Sequence, residues 1–257
     1  MVDAVLPAAG LLRQRGQEPV VKALLDVNGS PLVQRAVSAL RNSGMVDRIV
    51  VIGPREVQQH ALAAGADAAL NTVGGGAENV LAGLEWLTAN VQSPLPVAIM
   101  ACDLPFVDDQ ALRLLLQNLP CRADVVVPLV RREDFLIRFP GAPAAFVRLM
   151  EGSFALTGVY IVNPLVVLRE SATLCQLFRS RKSQWKTARM VGLSCALRLM
   201  RGTLSLGEIT SVIQHVFGCS ALAHVGVDPS LAFDIDDIED LAWCRNTDMV
   251  KDGSTSP

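Results

Sequence analysis

Short, continuous apolar runs alternate with segments of helical periodicity along the first half of the chain. The runs at 4–7, 48–53, 68–71, 97–101 and 123–130 have strand length and no regular polar alternation. Strands buried on both faces read this way, because helices cover both sides of a parallel sheet. Between the runs, apolar positions recur every three to four residues. Leu32, Val33, Ala36, Val37 and Leu40 predict a helix over 31–43, with Ser30 as N-cap and Pro31 at the first helical position. Helices are likewise predicted over 55–64, ended by Gly65, over 77–89 and over 107–118. The expected fold is α/β, a three-layer α/β/α arrangement around a mostly parallel central sheet.

Ligands on such sheets bind beyond the carboxyl ends of the strands. Three features fall at such ends: the small-residue loop 8–16, the run Gly74-Gly75-Gly76, and Asp103 after the strand at 97–101. The second half is less regular. Residues 131–143 are charged and turn-rich and read as a lid or flap. Residues 144–149 and 154–162 read as a hairpin-like pair around Glu151-Gly152, 164–179 and 205–217 as helices, and 222–227 as a late strand. Phe233 to Asp236 read as a further strand, leading into a helix from Ile238. No repeat or Pro/Ser linker divides the chain. One domain over 1–248 is expected, with a variable acceptor-side subregion at 131–220 and a frayed polar tail at 249–257.

Composition narrows the function classes. Half of the 257 residues are hydrophobic, 19% are charged and 5% aromatic, which suits helices packed on a sheet better than an all-β sandwich. A net charge of −2 gives no general attraction to nucleic acid or to a membrane surface, so neither is expected as a partner. A nucleotide site therefore needs local positive charge. The six cysteines form no C-x-x-C pair, which argues against zinc and redox motifs and suits reduced thiols in a cytoplasmic protein. No apolar run spans a bilayer, and the start Met1-Val2-Asp3 lacks the basic stretch of a signal peptide.

The loop Ala8-Ala9-Gly10-Leu11-Leu12-Arg13-Gln14-Arg15-Gly16, followed by Lys22, is a candidate polyanion site. Small residues let backbone N–H groups approach phosphate, while Arg13, Arg15 and Lys22 offset its charge. The ordinary alternative is three solvated cations. Asp103 is a candidate Mg²⁺ ligand, since Mg²⁺ is held by one or two carboxylates plus substrate phosphates. Its alternative role is to cap the helix near Val107. Asp234 and Asp236 share one side of an extended segment and form a second acidic element, with Asp237 the competitor for the N-cap of the last helix. Gly76 and Asn79 could meet a base, the first by backbone approach and the second by hydrogen bonding; the alternative is a plain connector. The basic cluster Arg179, Arg181, Lys182, Lys186 and Arg189 is either an acceptor-phosphate site or a solvated face. No Ser, Cys or His arrangement suggests nucleophilic catalysis.

Together these pieces resemble the molybdenum-cofactor guanylyltransferase-like (MobA-like) family of NTP transferases. Leu6-Pro7-Ala8-Ala9-Gly10 with Arg13, Arg15 and Gly16 is similar to the family's phosphate loop. Lys22-Ala23-Leu24-Leu25 with Gly29 and Pro31-Leu32-Val33 is similar to its K-x-L-L segment, Asp103-Leu104-Pro105 to its metal-binding element, and 233–241 to its closing acidic segment. Residues 75–84 resemble the base-contacting loop of the cytidylyltransferases that act on methylerythritol phosphate, with Asn79 in place of a serine. Leu12 stands where the family has its second loop glycine, and Gln14 at its arginine position.

The resemblance implies a Rossmann-like, GT-A-like nucleotidyltransferase fold. It also implies Mg²⁺-dependent transfer of an NMP unit from a nucleoside triphosphate to a small phosphorylated acceptor, with release of pyrophosphate. Lys22, Arg13, Arg15 and Asp103 would carry the chemistry. Ala8, Ala9, Gly10, Gly16, Gly76 and Asn79 would bind the nucleotide, and Asp103, Asp236 and Asp234 the metal. An acceptor phosphate is already ionised, so alignment and charge neutralisation suffice without a general base. Two other readings are a nucleotide-binding regulatory protein that has lost catalysis, and a GT-A glycosyltransferase using a nucleotide-sugar. The base, the acceptor and the oligomeric state are left open.

Overall fold

The computed structural model describes residues 1–13, 16, 18–89, 91–120, 123–180 and 193–247. Its strands, in chain order, are β1 (Val2–Pro7), β2 (Leu11–Leu12), β3 (Val20–Val21), β4 (Asp26–Val27), β5 (Ser30–Pro31), β6 (Val46–Ile52) and β7 (Ala68–Leu70). They continue with β8 (Val97–Met100), β9 (Val125–Arg131), β10 (Val147–Leu149), β11 (Gly152–Leu156), β12 (Val159–Val162) and β13 (Ala221–Val225). The main sheet has the order β10-β11-β9-β12-β8-β1-β6-β7, and β13 pairs with β9. β1 lies parallel to β6 and β8, β6 to β7, and β9 to β13; β11 and β12 run against them. The sheet is mostly parallel, as its apolar runs imply. The pairs β2–β3 and β4–β5 are small hairpins outside it.

Alternation along β1 shows why the strand had to be apolar throughout. Ala4 and Leu6 join a core shared with Leu32, Leu40, Val57 and Leu112, whereas Val5 joins one shared with Val80, Leu84 and Leu87. Helices cover both faces. The helix Gly76–Thr88 approaches so closely that a Cβ on Gly83 would lie 2.7 Å from the Val5 side chain. Asp3 is the buried exception in β1. Arg48 donates to it through its backbone N–H and its guanidinium, with Nη2 at 2.5 Å from Oδ2. Among the described residues no helix is long and apolar enough to cross a membrane.

Several predicted elements shift. Ser30 and Pro31 form β5 and pair with Val27 and Asp26, so the helix begins at Leu32 with Pro31 as N-cap and no side-chain cap. The fourth helix is Asp109–Gln117, and Asp108 caps it by accepting from Ala111 N–H at 2.7 Å. Asp103 is thereby freed from capping. The expected flap at 131–143 contains a packed helix, Arg132–Arg138, because Phe135 and Phe139 are buried beneath it. Residues 164–179 split into Pro164–Arg169 and Ser171–Ser180. The final helix, Ile238–Asn246, is capped by Asp237 through a capping box with Asp240.

The expected hairpin near Gly152 is β10–β11, and the chain then makes one bent strand of β11 and β12 along β9. Phe154, Ala155 and Leu156 pair with Arg131, Val130 and Leu129, but Ile161 and Val162 pair with Val126 and Val125, a slip in register. The slip falls at Thr157-Gly158. Thr157 is buried and its hydroxyl faces the carbonyls of Pro128 at 3.1 Å and Val159 at 2.8 Å. Gly158 donates to Leu231 O and accepts from Ala101 N–H, both at 2.8 Å. This bulge fixes the segment before Phe233 to the end of β8, and so positions one acidic element against the other.

Candidate active site

A cleft of about 580 Å³ opens at the carboxyl ends of β1 and β8. One wall is Ala8, Ala9 and Gly10, which follow β1; the opposite wall is Gly74–Gly76, Asn79 and Phe178. Lys22, Asp103, Asp234 and Asp236 meet between them. Ala8 N–H still belongs to the sheet, donating to Ile52 O at 2.8 Å. Lys22 enters from a short 3₁₀ turn, Lys22–Leu24, and its backbone N–H donates to Gly10 O at 2.8 Å. The loop between these two residues is tied at its base, and the Lys22 side chain runs past Gly10 into the cleft.

The Lys22 ammonium lies 3.0 Å from Asp103 Oδ2 and 2.6 Å from Asp236 Oδ1. Burial alone pulls its pKa down, but Asp103 and Asp236 outweigh that and hold it above the usual lysine value. The two acidic elements are joined through the backbone, where Ile235 N–H donates to Asp103 O at 3.0 Å. Ile235 and Phe233 point into the core while Asp234 and Asp236 face outward, so the expected alternation holds. The expected strand at 233–236 is not part of the sheet. Asp240, which is buried, accepts from the backbone N–H of Asp236 at 2.8 Å and of Asp237 at 2.9 Å and so aims Asp236. Its own backbone N–H donates to Asp237 Oδ1 at 3.1 Å. That positioning role is what sequence reading missed; the signal was the spacing of Asp237 and Asp240.

Asp234 opens on the cleft, yet the concave surroundings desolvate it and Asp236 and Asp103 repel its charge, raising its pKa to about 7. Tyr160, on β12, is pushed up by burial and by Asp234. Three carboxylates thus share one lysine. Among the described residues no group of three or more His, Cys, Asp or Glu forms a metal cage. An open pair of carboxylates is nevertheless the donor set that Mg²⁺ accepts when phosphates supply further oxygens, and the surplus negative charge at Asp234 fits a divalent cation.

Other predicted site residues are placed differently. Arg13 is exposed and Gly16 adopts φ +81°; neither lines the cleft. Arg15, Gln14 and the basic residues from Arg181 to Arg189 lie outside the described residues, as does the side chain of Arg179. Asn79 is buried, and its Oδ1 accepts from Val73 N–H at 3.0 Å. That oxygen braces the glycine loop, while Asn79 itself remains part of the cleft lining. Gly76 does line the cleft, with Phe178 packed on it closely enough that a Cβ there would lie 3.3 Å from the ring. Leu12 is buried in the core, and it pairs with Val20 across β2 and β3.

The MobA-like NTP transferase domain matches residues 4–197. The chain belongs to this family, and its class is that of the nucleotidyltransferases. A 2-C-methyl-D-erythritol 4-phosphate cytidylyltransferase from Rhodococcus jostii is 33% identical over 141 residues, covering 52% of this chain and 58% of that protein. The chain thus spans a little over half the length of this curated relative. A hypothetical transferase from Thermus thermophilus superposes with a TM-score of 0.80 at 28% identity, over 94% of this chain and 100% of that one. A 4-diphosphocytidyl-2C-methyl-D-erythritol synthase from Anaerococcus prevotii shares the fold, with a TM-score of 0.57 at 10% identity over 95% and 96% of the two chains.

Proposed function

We propose that this protein is a Mg²⁺-dependent cytidylyltransferase, moving CMP from CTP to a small phosphorylated acceptor. The observation that carries the reading is the Lys22 ammonium held between Asp103 and Asp236 at the mouth of the small-residue cleft. The choice of cytidine is supported by the likeness to the Rhodococcus cytidylyltransferase.

Gly10 and the Gly74–Gly76 loop give the nucleotide close backbone approach on two sides. Lys22 neutralises a triphosphate oxygen as a point charge, released from its carboxylates when the substrate arrives. Asp103 and Asp236 would hold the metal, with Asp234 beside them. When bound, Mg²⁺ neutralises charge on the departing pyrophosphate. The acceptor's phosphate oxygen attacks the α-phosphorus in line. A new P–O bond forms, the bond to the bridging oxygen of the β-phosphate breaks, and pyrophosphate leaves with that electron pair. No residue must remove a proton, because the nucleophile is already an anion.

The test is pyrophosphate release from CTP in the presence of Mg²⁺ and a panel of acceptor phosphates, with Asp103→Ala alongside. Turnover abolished in the variant supports the reading. Unchanged turnover in Asp103→Ala removes the metal assignment, and selective turnover of GTP or ATP removes the cytidine assignment.

A further inference from the structure

Lys22 is anchored at its backbone and adjustable along its stem. Its N–H donates to Gly10 O at 2.8 Å, and its carbonyl accepts from Leu25 N–H at 3.0 Å. The stem runs beside Gly10, where a Cβ would make only ordinary contact, 3.7 Å from Lys22 Cδ. Side-chain rotation therefore carries the ammonium between the acidic pair and the small-residue wall of the same cleft, while the backbone stays in place.

The ammonium stands at the point that both carboxylates reach, 3.0 Å from Asp103 Oδ2 and 2.6 Å from Asp236 Oδ1. A cation held by both of those oxygens has to take that same point. The exposures of the three side chains decide what a metal ion from solvent can find: 12% for Lys22, 18% for Asp103 and 73% for Asp236. Asp236 is open, whereas Asp103 is largely covered and already has the ammonium against its Oδ2. To gain the second carboxylate, the ion must break both ion pairs of Lys22. Mg²⁺ sheds its water reluctantly and is held by one or two carboxylates together with phosphate oxygens, so a free ion has little with which to offset that loss. A triphosphate alters both sides of the exchange. Its oxygens accept from the ammonium, and other oxygens of the same chain complete the coordination of the metal.

We propose that Lys22 is a tethered cation that keeps the Asp103–Asp236 pair closed to free divalent ions, and that a nucleoside triphosphate opens the pair by drawing the ammonium away. The assignment rests on the nucleotidyl-transfer reading above. Metal and triphosphate then bind as a coupled pair, each raising the affinity for the other by the same factor. Removing Lys22 has opposite effects on the two ligands: the metal binds better alone, and the triphosphate binds worse.

The experiment uses Mn²⁺ as the probe and reads the EPR signal of the free aqueous ion, which needs no turnover. The natural protein is expected to bind Mn²⁺ weakly without nucleotide. Lys22→Met and Lys22→Gln, which keep an unbranched stem beside Gly10, are expected to bind it about tenfold tighter or more, within the usual range of a coupling between two ligands. Their melting temperatures without metal check the fold. The titrations are repeated in about 1 M potassium chloride, where charges more than about 3 Å apart are screened. A gain that persists there reflects displacement at contact. A gain that vanishes reflects only the general field of the lysine and overturns the proposal, as does a natural protein that binds Mn²⁺ as tightly as both variants. CTP is then added, and Mn²⁺ recruited to the protein is read as enhanced water-proton relaxation. CTP is expected to tighten Mn²⁺ binding more in the natural protein than in Lys22→Met, and an equal effect in both overturns the opening by triphosphate. Failure of CTP to recruit Mn²⁺ to either protein, with no pyrophosphate release, overturns nucleotidyl transfer, and the titrations without nucleotide still decide whether Lys22 closes the pair.

Discussion

The Lys22 ammonium reaches Asp103 Oδ2 at 3.0 Å across 81 positions of sequence, and in the same geometry it meets Asp236 from the other end of the chain. Three segments that share no local structure therefore converge on one charge. Replacing Lys22 by Ala leaves two facing carboxylates without their cation and a triphosphate without its partner. The expected outcome is a fall in turnover of about 10²–10³, the scale for losing one group that stabilises transition-state charge. Steady-state pyrophosphate release measures it, and a Lys22→Arg variant that restores less than the full rate separates point charge from fork geometry.

Asp240 acts on Asp236 through the backbone. Asp240→Ala removes the acceptor for two N–H groups and half of a capping box. A loss of about 1–2 kcal/mol in stability is expected, read as a lower denaturation midpoint. Turnover should fall further than this stability loss explains, because Asp236 is no longer aimed at Lys22. An Asp240→Ala variant with normal turnover at low temperature sinks the positioning role.

Phe178 closes the cleft wall over Gly76. If the base stacks there, Phe178→Ala raises the CTP KM about tenfold, within the roughly 1–3 kcal/mol that base–aromatic stacking contributes. A thermal-shift titration with CTP checks the same quantity without acceptor. Unchanged affinity places the base elsewhere in the cleft.

Gly158 has no room for a side chain. A Cβ there would lie 2.8 Å from Leu104 Cδ2 in a buried contact next to Asp103. Gly158→Ala is expected to cost about 1–3 kcal/mol by overpacking and to disturb the tie between Gly158 and Leu231. Chemical denaturation gives the stability; loss of activity beyond the unfolded fraction shows that the bulge sets the acidic elements.

Asp124 links β9 to the start of β13. Its carboxylate accepts from the Ser220 hydroxyl at 2.7 Å, from Ser220 N–H at 3.0 Å and from Asn163 Nδ2 at 3.0 Å. The Ser220 hydrogen bonds, chiefly, hold its pKa below the ordinary 3.8. A carboxyl depressed in the folded state stabilises above its unfolded value, and that contribution is lost as pH falls from about 4 toward the folded pKa. The melting temperature of the natural protein should therefore drop more steeply in that acid window than that of Asp124→Asn. Parallel acid limbs would remove Asp124 as a source of the slope.

The strands at 4–7, 48–53 and 97–101 were legible because burial on both faces demands continuous apolar residues, a constraint each segment satisfies alone. The candidate carboxylates were legible for a related reason, since a charged residue directly after a buried strand must sit at the rim. Local sequence also carried the Asp237 cap, which needs only residues three apart. It did not carry the helix Arg132–Arg138, whose charged face hides the two phenylalanines that bury it. Nor did it carry the fate of Asn79, whose oxygen is claimed by a backbone N–H six residues earlier once the glycine loop folds back.

The sequence by itself determined the layers of this protein and the loop near its start, because periodicity and small residues act locally. Tertiary structure alone decided which charges of that loop reach the site: Lys22 does, and Arg13 does not. It also decided that Asp103 is largely covered beside that ammonium while Asp236 stays open to solvent. Those outcomes depend on the register slip at Thr157-Gly158 and on the Ile235–Asp103 hydrogen bond, contacts between distant segments whose energies exist only after the sheet has formed.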